Sequence, residues 1–332
     1  MIVYADLRWA PRTGIGVVKS ALMLRAPAHI RIAELSIPAR MRSPLSPLHI
    51  ARSLATVPAR DSVFWSPGFM PPAQTPIPAV VTVHDLTHLH YYTHLHCAYY
   101  NVVLRRFFRR CRAIICVSEY TRNEFLNWSG MSPSQVFTVH NGISRELFSA
   151  VDDFGLPFPY VLYPGNRRRH KNLDRLLEAF ALSSLSRDGV RLVLTGNPEA
   201  KLRRKAARLG VERFLHFVGE VSDSDLARLY RGAKLLAFVS LYEGFGLPIL
   251  EAMASGIPVL TSKVSAMPEV AGGAAVLVNP ESTEEIAHAL ERLVSDEQLR
   301  ERCVRLGRTQ ISHFDWDAAA SKVWGIVTQA VQ

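Results

Sequence analysis

Short apolar runs of three to five residues recur along this chain and alternate with stretches in which apolar residues return every three or four positions. The first pattern is that of buried parallel strands and the second that of amphipathic helices. In the first half the runs are Ile2–Tyr4, Ser62–Trp65, Val80–Val83, Ile114–Val117 and Val136–Val139. In the second half they are Tyr160–Tyr163, Arg191–Leu194, Leu215–Val218, Leu235–Val239, Pro258–Thr261 and Ala275–Leu277. Between them, Leu173, Leu176, Leu177 and Phe180 make one helical stripe and Ile286, Leu290 and Leu293 another. Alternating strand and helix predicts the α/β class, with parallel sheets covered on both faces. The alternation runs through two sets, parted by the Pro-, Gly- and Asp-rich stretch SAVDDFGLPFP at 149–159. That predicts two doubly wound domains with a central cleft, where ligands sit at the carboxyl ends of the strands.

The chain has 332 residues, enough for two cores. No run of 18 apolar residues predicts a membrane-spanning helix, and Asp6 and Arg8 interrupt the opening run, so it reads as a strand and not as a leader peptide. Cys97, Cys111, Cys116 and Cys303 show no metal or disulfide spacing, so free thiols and a cytoplasmic setting are expected. The balance is basic, 39 Lys and Arg against 29 Asp and Glu. Phosphorylated ligands, an anionic membrane surface or nucleic acid would each account for it. No RNA-binding, zinc-finger or helix-turn-helix pattern is present, so no nucleic-acid partner is expected. The stretch Val102–Arg110, with four arginines around Phe107 and Phe108, reads as a basic, partly apolar helix suited to anionic headgroups or simply as a solvated amphipathic helix.

The segment EGFGLPILE, Glu243 to Glu251, carries the most chemistry. Glu243 stands just past a strand. Gly244 and Gly246 allow positive φ and a close ligand approach, with Phe245 between them. Leu247 and Pro248 open a helix whose N-terminal amides favour an anion. Glu251 lies two turns further on. Alone, Glu243 would be a dipole partner and Glu251 a surface residue. Two carboxylates around an anion site suit a ligand with hydroxyls on both sides of its phosphates, as in a nucleotide sugar.

Together with TGIGVV, VHDLTHL, ICVSEYTRNEF, VHNGI, YPGNRRRHKNLDRLLEAF, LVLTGNP and FVGEVSDSDLARLY, taken in this order and spacing, the segment resembles the retaining glycosyltransferases of the GT-B fold, family 4. The arrangement is similar to that of bacterial mannosyltransferases that build surface polysaccharides such as O-antigen. The resemblance implies Rossmann-like domains over residues 1–150, binding acceptor, and 157–312, binding the nucleotide-sugar donor, with 313–332 as a helix crossing back to the first. It implies that Glu243 positions the donor sugar, Glu251 the ribose, and His84 the sugar near the reacting carbon. Lys171 and Arg167 would meet the diphosphate; some relatives put the arginine directly after the glycine, where this chain has Asn166. The amides of Gly14 and Gly16 would face the diphosphate, and the loops at Gly196 and Val218 would cradle the base. The implied donor is GDP-mannose, with a UDP-sugar as alternative, and the acceptor a glycan or a polyprenyl-diphosphate-linked chain. No metal or other cofactor is implied: Asp223–Asp225 and Asp315–Asp317 read as helix caps, and the histidines at 88, 90, 94 and 96 lack a carboxylate or cysteine partner set. A sugar-nucleotide epimerase or a non-catalytic nucleotide-binding module would share much of this pattern.

Overall fold

The computed structural model describes residues 1–11, 13–41, 43–149 and 151–331. It divides into two compact units, Met1–Gly142 with Phe314–Gln332, and Ile143–His313. Each holds one six-stranded sheet, and every pairing in both is parallel. The first sheet comprises β1 (Ile2–Ala5), β2 (Arg31–Glu34), β3 (Ser62–Ser66), β4 (Ala79–Val83), β5 (Ala113–Cys116) and β6 (Val136–Thr138). Their order is β2-β1-β3-β4-β5-β6. The second comprises β7 (Tyr160–Tyr163), β8 (Arg191–Leu194), β9 (Leu215–Phe217), β10 (Leu235–Phe238), β11 (Val259–Ser262) and β12 (Val276–Val278), ordered β12-β11-β10-β7-β8-β9.

Strand β2 is missing from the sequence expectation. It is a sheet edge whose terminal residues, Arg31 and Glu34, are exposed. An edge strand needs no continuous apolar run. The central strands β3 and β4, by contrast, are buried at every position.

In the second unit the chain starts mid-sheet at β7, runs outward to β9, then returns to β10 on the other side of β7. Strand order therefore reverses between β7 and β10, which opens a crevice at their carboxyl ends. Leu176, Phe180, Leu192 and Leu290 are fully buried in the core beneath it. The helix Arg145–Ser149 packs on the helices Asp223–Gly232 and Leu247–Ala254 and so belongs to this unit. The stretch beyond it is pinned to the unit too: the Arg191 guanidinium lies 3.9 Å from the Phe158 ring centre and that of Arg228 lies 5.5 Å from Phe154.

The first unit is closed by the helix Trp316–Gln329, which packs on the helix Gly14–Leu24. Trp324 is buried, donates from Nε1 to the Leu22 carbonyl at 3.0 Å and stacks edge-on to Trp65 at 4.9 Å. The stretch Thr13–Gly16 is the first turn of the helix itself. Thr13 caps it, accepting the Gly16 N–H at 3.0 Å.

Candidate functional site

The crevice between β7 and β10 gathers its residues through one asparagine. Past β7 the chain makes a short 3-10 turn, Arg169–Lys171, and then Asn172 adopts the left-handed conformation, φ 59°, to start the helix Leu173–Leu182. Asn tolerates this region better than most residues. Its amide donates to the Val239 carbonyl at 2.9 Å and to Pro280 at 2.7 Å, which binds the turn to the end of β10. Lys171 is thereby held over Glu243. Its Nζ donates to both carboxylate oxygens, at 2.7 and 2.9 Å, and lies 5.3 Å from the Phe238 ring centre. Glu243 is fixed from two more sides: Ser240 Oγ donates to Oε1 at 2.6 Å, and the Glu243 N–H donates to Ser265 Oγ at 3.0 Å. Ser265 sits at φ 54°, a strained conformation for a residue with a side chain. The side chains of Lys171 and Glu243 are only 18 and 12 % exposed. An ammonium has three N–H groups, so Lys171 bonds Glu243 and keeps one donor for an anion.

Directly after Glu243 the chain prepares an anion site. Gly246, at φ 110°, starts the helix Leu247–Ala254, and no side chain caps its N-terminus. Phe245 is buried beside it and Pro248 occupies the first turn. The helix-end amides and dipole therefore face outward as partial positive charge. Glu251, lower on this helix, accepts the Tyr230 hydroxyl at 2.7 Å. Burial pushes its carboxyl up to about 7, against the pull of the Tyr230 bond and with a further push from Asp223.

A second group lies at the ends of β7, β8 and β9. Arg167 donates to the carbonyls of Asn197 and Thr195 and to Glu199, and its guanidinium stacks 5.1 Å from the Phe217 ring centre. Gly196, at φ 80°, bridges to Gly219 through its N–H at 2.6 Å, and the Val218 N–H bonds Leu194 at 3.1 Å. Arg167 thus ties the loops after β7 and β8 together.

Gly14, Gly16 and His84 lie in the other unit. Gly14 faces open space, whereas a Cβ on Gly16 would fall 1.9 Å from the Ala10 carbonyl oxygen. His84 follows β4 and meets the Pro67 carbonyl from Nε2 at 2.7 Å. Burial lowers its pKa, opposed by that bond and by Asp85. A carbonyl only accepts, so the neutral ring carries its proton on Nε2. Asp85 itself accepts the Thr87 N–H in a turn at 2.8 Å. Asp223 and Asp225 lie in a helical first turn capped by Ser222, and Asp315 caps the last long helix. Among the described residues no three His, Cys, Asp or Glu side chains gather as a metal site. His90 pairs with Glu124, and His96 bonds Thr93.

The structure adds four side chains the sequence reading passed over: Asn172, Ser240, Ser265 and Tyr230. Asn172 had a signal, an asparagine directly before a helix. The other three depend on contacts 3 to 22 residues apart that no local pattern reveals.

Comparison with known proteins agrees with this architecture. Residues 145–310 match the family described as "Glycosyl transferases group 1", and residues 30–147 match "Glycosyltransferase Family 4". The O-antigen chain mannosyltransferase B of Escherichia coli is 30% identical over 275 residues, 78% of this chain and 72% of that one. The MMP alpha-(1->4)-mannosyltransferase of Mycolicibacterium hassiacum is 30% identical over 247 residues, 68% of this chain and 56% of that one. Among solved structures, Anabaena Alr3699/HepE in complex with UDP and glucose superposes with a TM-score of 0.77 at 18% identity, over 99% of both chains. WaaG, a glycosyltransferase involved in lipopolysaccharide biosynthesis, superposes with a TM-score of 0.75 at 18% identity, over 99% of this chain and 100% of that one. The two parallel sheets are those of the GT-B fold. With half its length matched by one family profile and most of the remainder of its first unit by another, the chain belongs to the glycosyl transferases group 1 family and is a hexosyltransferase.

Proposed function

We propose that this enzyme moves a mannosyl group from GDP-mannose, with retention of configuration, to a glycan or polyprenyl-diphosphate-linked acceptor in the synthesis of a bacterial surface polysaccharide. The observation that carries the reading is the Lys171–Glu243 pair at the β7–β10 crevice, beside a helix N-terminus left without a side-chain cap. The mannosyltransferase relatives support the donor.

In this reading the diphosphate rests on the amides around Leu247, with the third Lys171 donor and Arg167 beside it. The base lies along the backbone at Gly196 and Val218, the ribose hydroxyls donate to Glu251, and the sugar hydroxyls meet Glu243. The first unit carries the acceptor. The acceptor oxygen bonds the anomeric carbon on the face the diphosphate leaves. The carbon–oxygen bond to phosphate breaks, its electron pair goes to the departing oxygen, and that oxygen takes the hydroxyl proton. Positive groups fixed where charge develops lower the barrier, because they need no reorganisation during the reaction. No divalent metal takes part in this scheme.

A UDP-sugar donor is the second reading, favoured by the structural neighbour that holds UDP and glucose. Thermal-shift measurements with GDP, UDP and ADP and their sugar forms, on the wild type and on Glu251→Ala, separate the two. A shift with GDP and GDP-mannose that the variant loses is expected. A shift with UDP compounds alone overturns the mannosyl donor and keeps the site. No shift with any nucleotide overturns the donor site. An altered sugar released without acceptor would identify an epimerase.

A further inference from the structure

The second unit has a concave surface at the end opposite its crevice. The helix Glu297–Gln310 lies across the amino-terminal ends of β10 and β11, and a groove of about 460 Å³ runs between them. That is the size of a small-molecule site. The helix is held close by buried Gly307, where an added Cβ would fall 3.0 Å from Met253 Cγ. Ile257 and Pro258, both buried, and half-buried Val304 give the groove an apolar floor.

The rim is basic. Lys234 reaches it from the start of β10, and Arg300, Arg305 and Arg308 reach it from the helix. Arg231 stands at its edge: Nη1 donates to the Ser255 carbonyl at 3.2 Å and lies 3.5 Å from the place of a Cβ on Gly256. Arg300 donates to the Val294 carbonyl at 2.6 Å. Two carboxylates, Glu297 and Glu301, line the same groove. Glu301 and Arg305 are four apart, the spacing of a helix-surface ion pair. Yet among the described residues none of the five cations forms an ion pair, whereas Arg228, one turn before Arg231, pairs with Asp225. The backbone adds no donors: the Gly256 and Ile257 N–H groups go to the Met253 and Ala252 carbonyls, and Pro258 has none. Recognition in this groove therefore falls to side chains. Guanidiniums grip phosphate oxygens in pairs, and a phosphomonoester brings roughly 1.5 to 2 negative charges to match several cations. Carboxylates repel a phosphate but accept hydroxyls. A ligand with a phosphate at one end and hydroxyls along its body satisfies both.

We infer that this groove binds a small phosphorylated sugar or polyol, with the phosphate on Lys234, Arg305 and Arg308, hydroxyls on Glu297 and Glu301, and the carbon skeleton over Ile257 and Val304. The site is separate from the crevice of Lys171 and Glu243, because the helix Leu247–Ala254 starts at that crevice and ends at this groove. The test is calorimetric titration at physiological ionic strength with glucose 6-phosphate, ribose 5-phosphate and glycerol 3-phosphate. Glucose, inorganic phosphate and a short oligonucleotide are the comparison ligands. The proteins are wild type, Arg305→Glu/Arg308→Glu, Lys234→Glu and Lys171→Ala. At least one phosphorylated probe is expected to bind wild type and Lys171→Ala alike, and more tightly than any comparison ligand. The double variant and Lys234→Glu change exposed residues on opposite walls of the groove. Each should weaken that binding about tenfold or more, the scale of a lost charge-assisted contact, with the ligand-free melting temperature unchanged. Should the double variant fail to fold, Lys234→Glu decides alone. Wild type that binds no phosphorylated probe overturns the inference, and so does binding that survives the groove variants. Binding lost in Lys171→Ala and kept in the groove variants puts the phosphate in the donor crevice and overturns it as well. Equal affinity for inorganic phosphate leaves a mere counter-ion surface, and tighter binding of the oligonucleotide assigns the groove to a polyanion; either result overturns the inference.

Discussion

Two helices of this molecule begin with the same string of letters, glycine–any residue–glycine, and do opposite things with it. At Gly14 the helix is closed off. Thr13 stands in extended conformation and takes the Gly16 N–H, and Gly16 is buried against Ala10 where even a methyl group would collide. At Gly246 the helix is left open. The cap residue is itself glycine, at φ 110°, and no side chain returns to the amides. Gly16 serves helix packing, Gly14 faces open space, and Gly246 gives up a cap. A glycine pair in a sequence reports that the backbone bends sharply. How many amides are left for a ligand depends on the residue in front: a hydroxyl there takes one of them, and a glycine takes none.

The sharpest test of that contrast removes the charge facing the open helix. Lys171→Ala should cut turnover by roughly 10² to 10³-fold, the magnitude of losing one fixed donor at developing charge. Measured initial rates with the nucleotide sugar decide it; near-normal turnover would mean the charge is handled elsewhere. Next comes a matched pair. Gly16→Ala should lower stability by about 1–3 kcal/mol through overpacking and leave the nucleotide-induced shift intact. Gly246→Ala should cost about 1–2 kcal/mol for its left-handed backbone and lose the shift as well. Chemical denaturation with and without nucleotide reads both; a shift lost in Gly16→Ala would erase the distinction. Smaller still, Thr13→Ala should cost about 1 kcal/mol as a lost cap, visible in the denaturation midpoint with nucleotide affinity unchanged.

The last effect is one of pH. Glu251 titrates near 7 in the folded chain, above its ordinary 4.5, so the native state holds the proton through that window. Its contribution to apo stability is full below about 4.5 and is lost as pH rises through 7. The ribose contact proposed for Glu251 runs the other way, because a carboxylate accepts hydroxyls better than its acid. Nucleotide affinity should therefore rise across the same interval. Glu251→Gln should flatten both trends, and titrations of the melting temperature with and without nucleotide would show it.

The reach of the sequence follows from how local each feature is. Strands buried on both faces announce themselves as apolar runs, so β3, β4, β7 and β10 stood out at once. The edge strand β2 is half solvated and reads as a loop. Glu243 and Lys171 were legible because each follows a strand end, yet their bond joins residues 72 apart and came only with the sheet order. Arg167 reads from the sequence as a ligand of phosphate; what the structure shows is its bonds to the carbonyls of the next loop. Ser240, Ser265 and Tyr230 are ordinary polar residues in the sequence. Only the fold turns them toward the two glutamates.

The closing helix Trp316–Gln329 also sets the order of events during synthesis. The first unit needs Trp324 to cover Trp65 and the Leu22 carbonyl, but 171 residues, Ile143–His313, are translated before that helix begins. At roughly 5–20 residues per second the ribosome takes on the order of 10–30 s over them. In that interval the second unit is complete and the first still shows an apolar groove to the solvent. The half of the enzyme made first is thus the half finished last, and a chaperone meeting the nascent chain finds its target there.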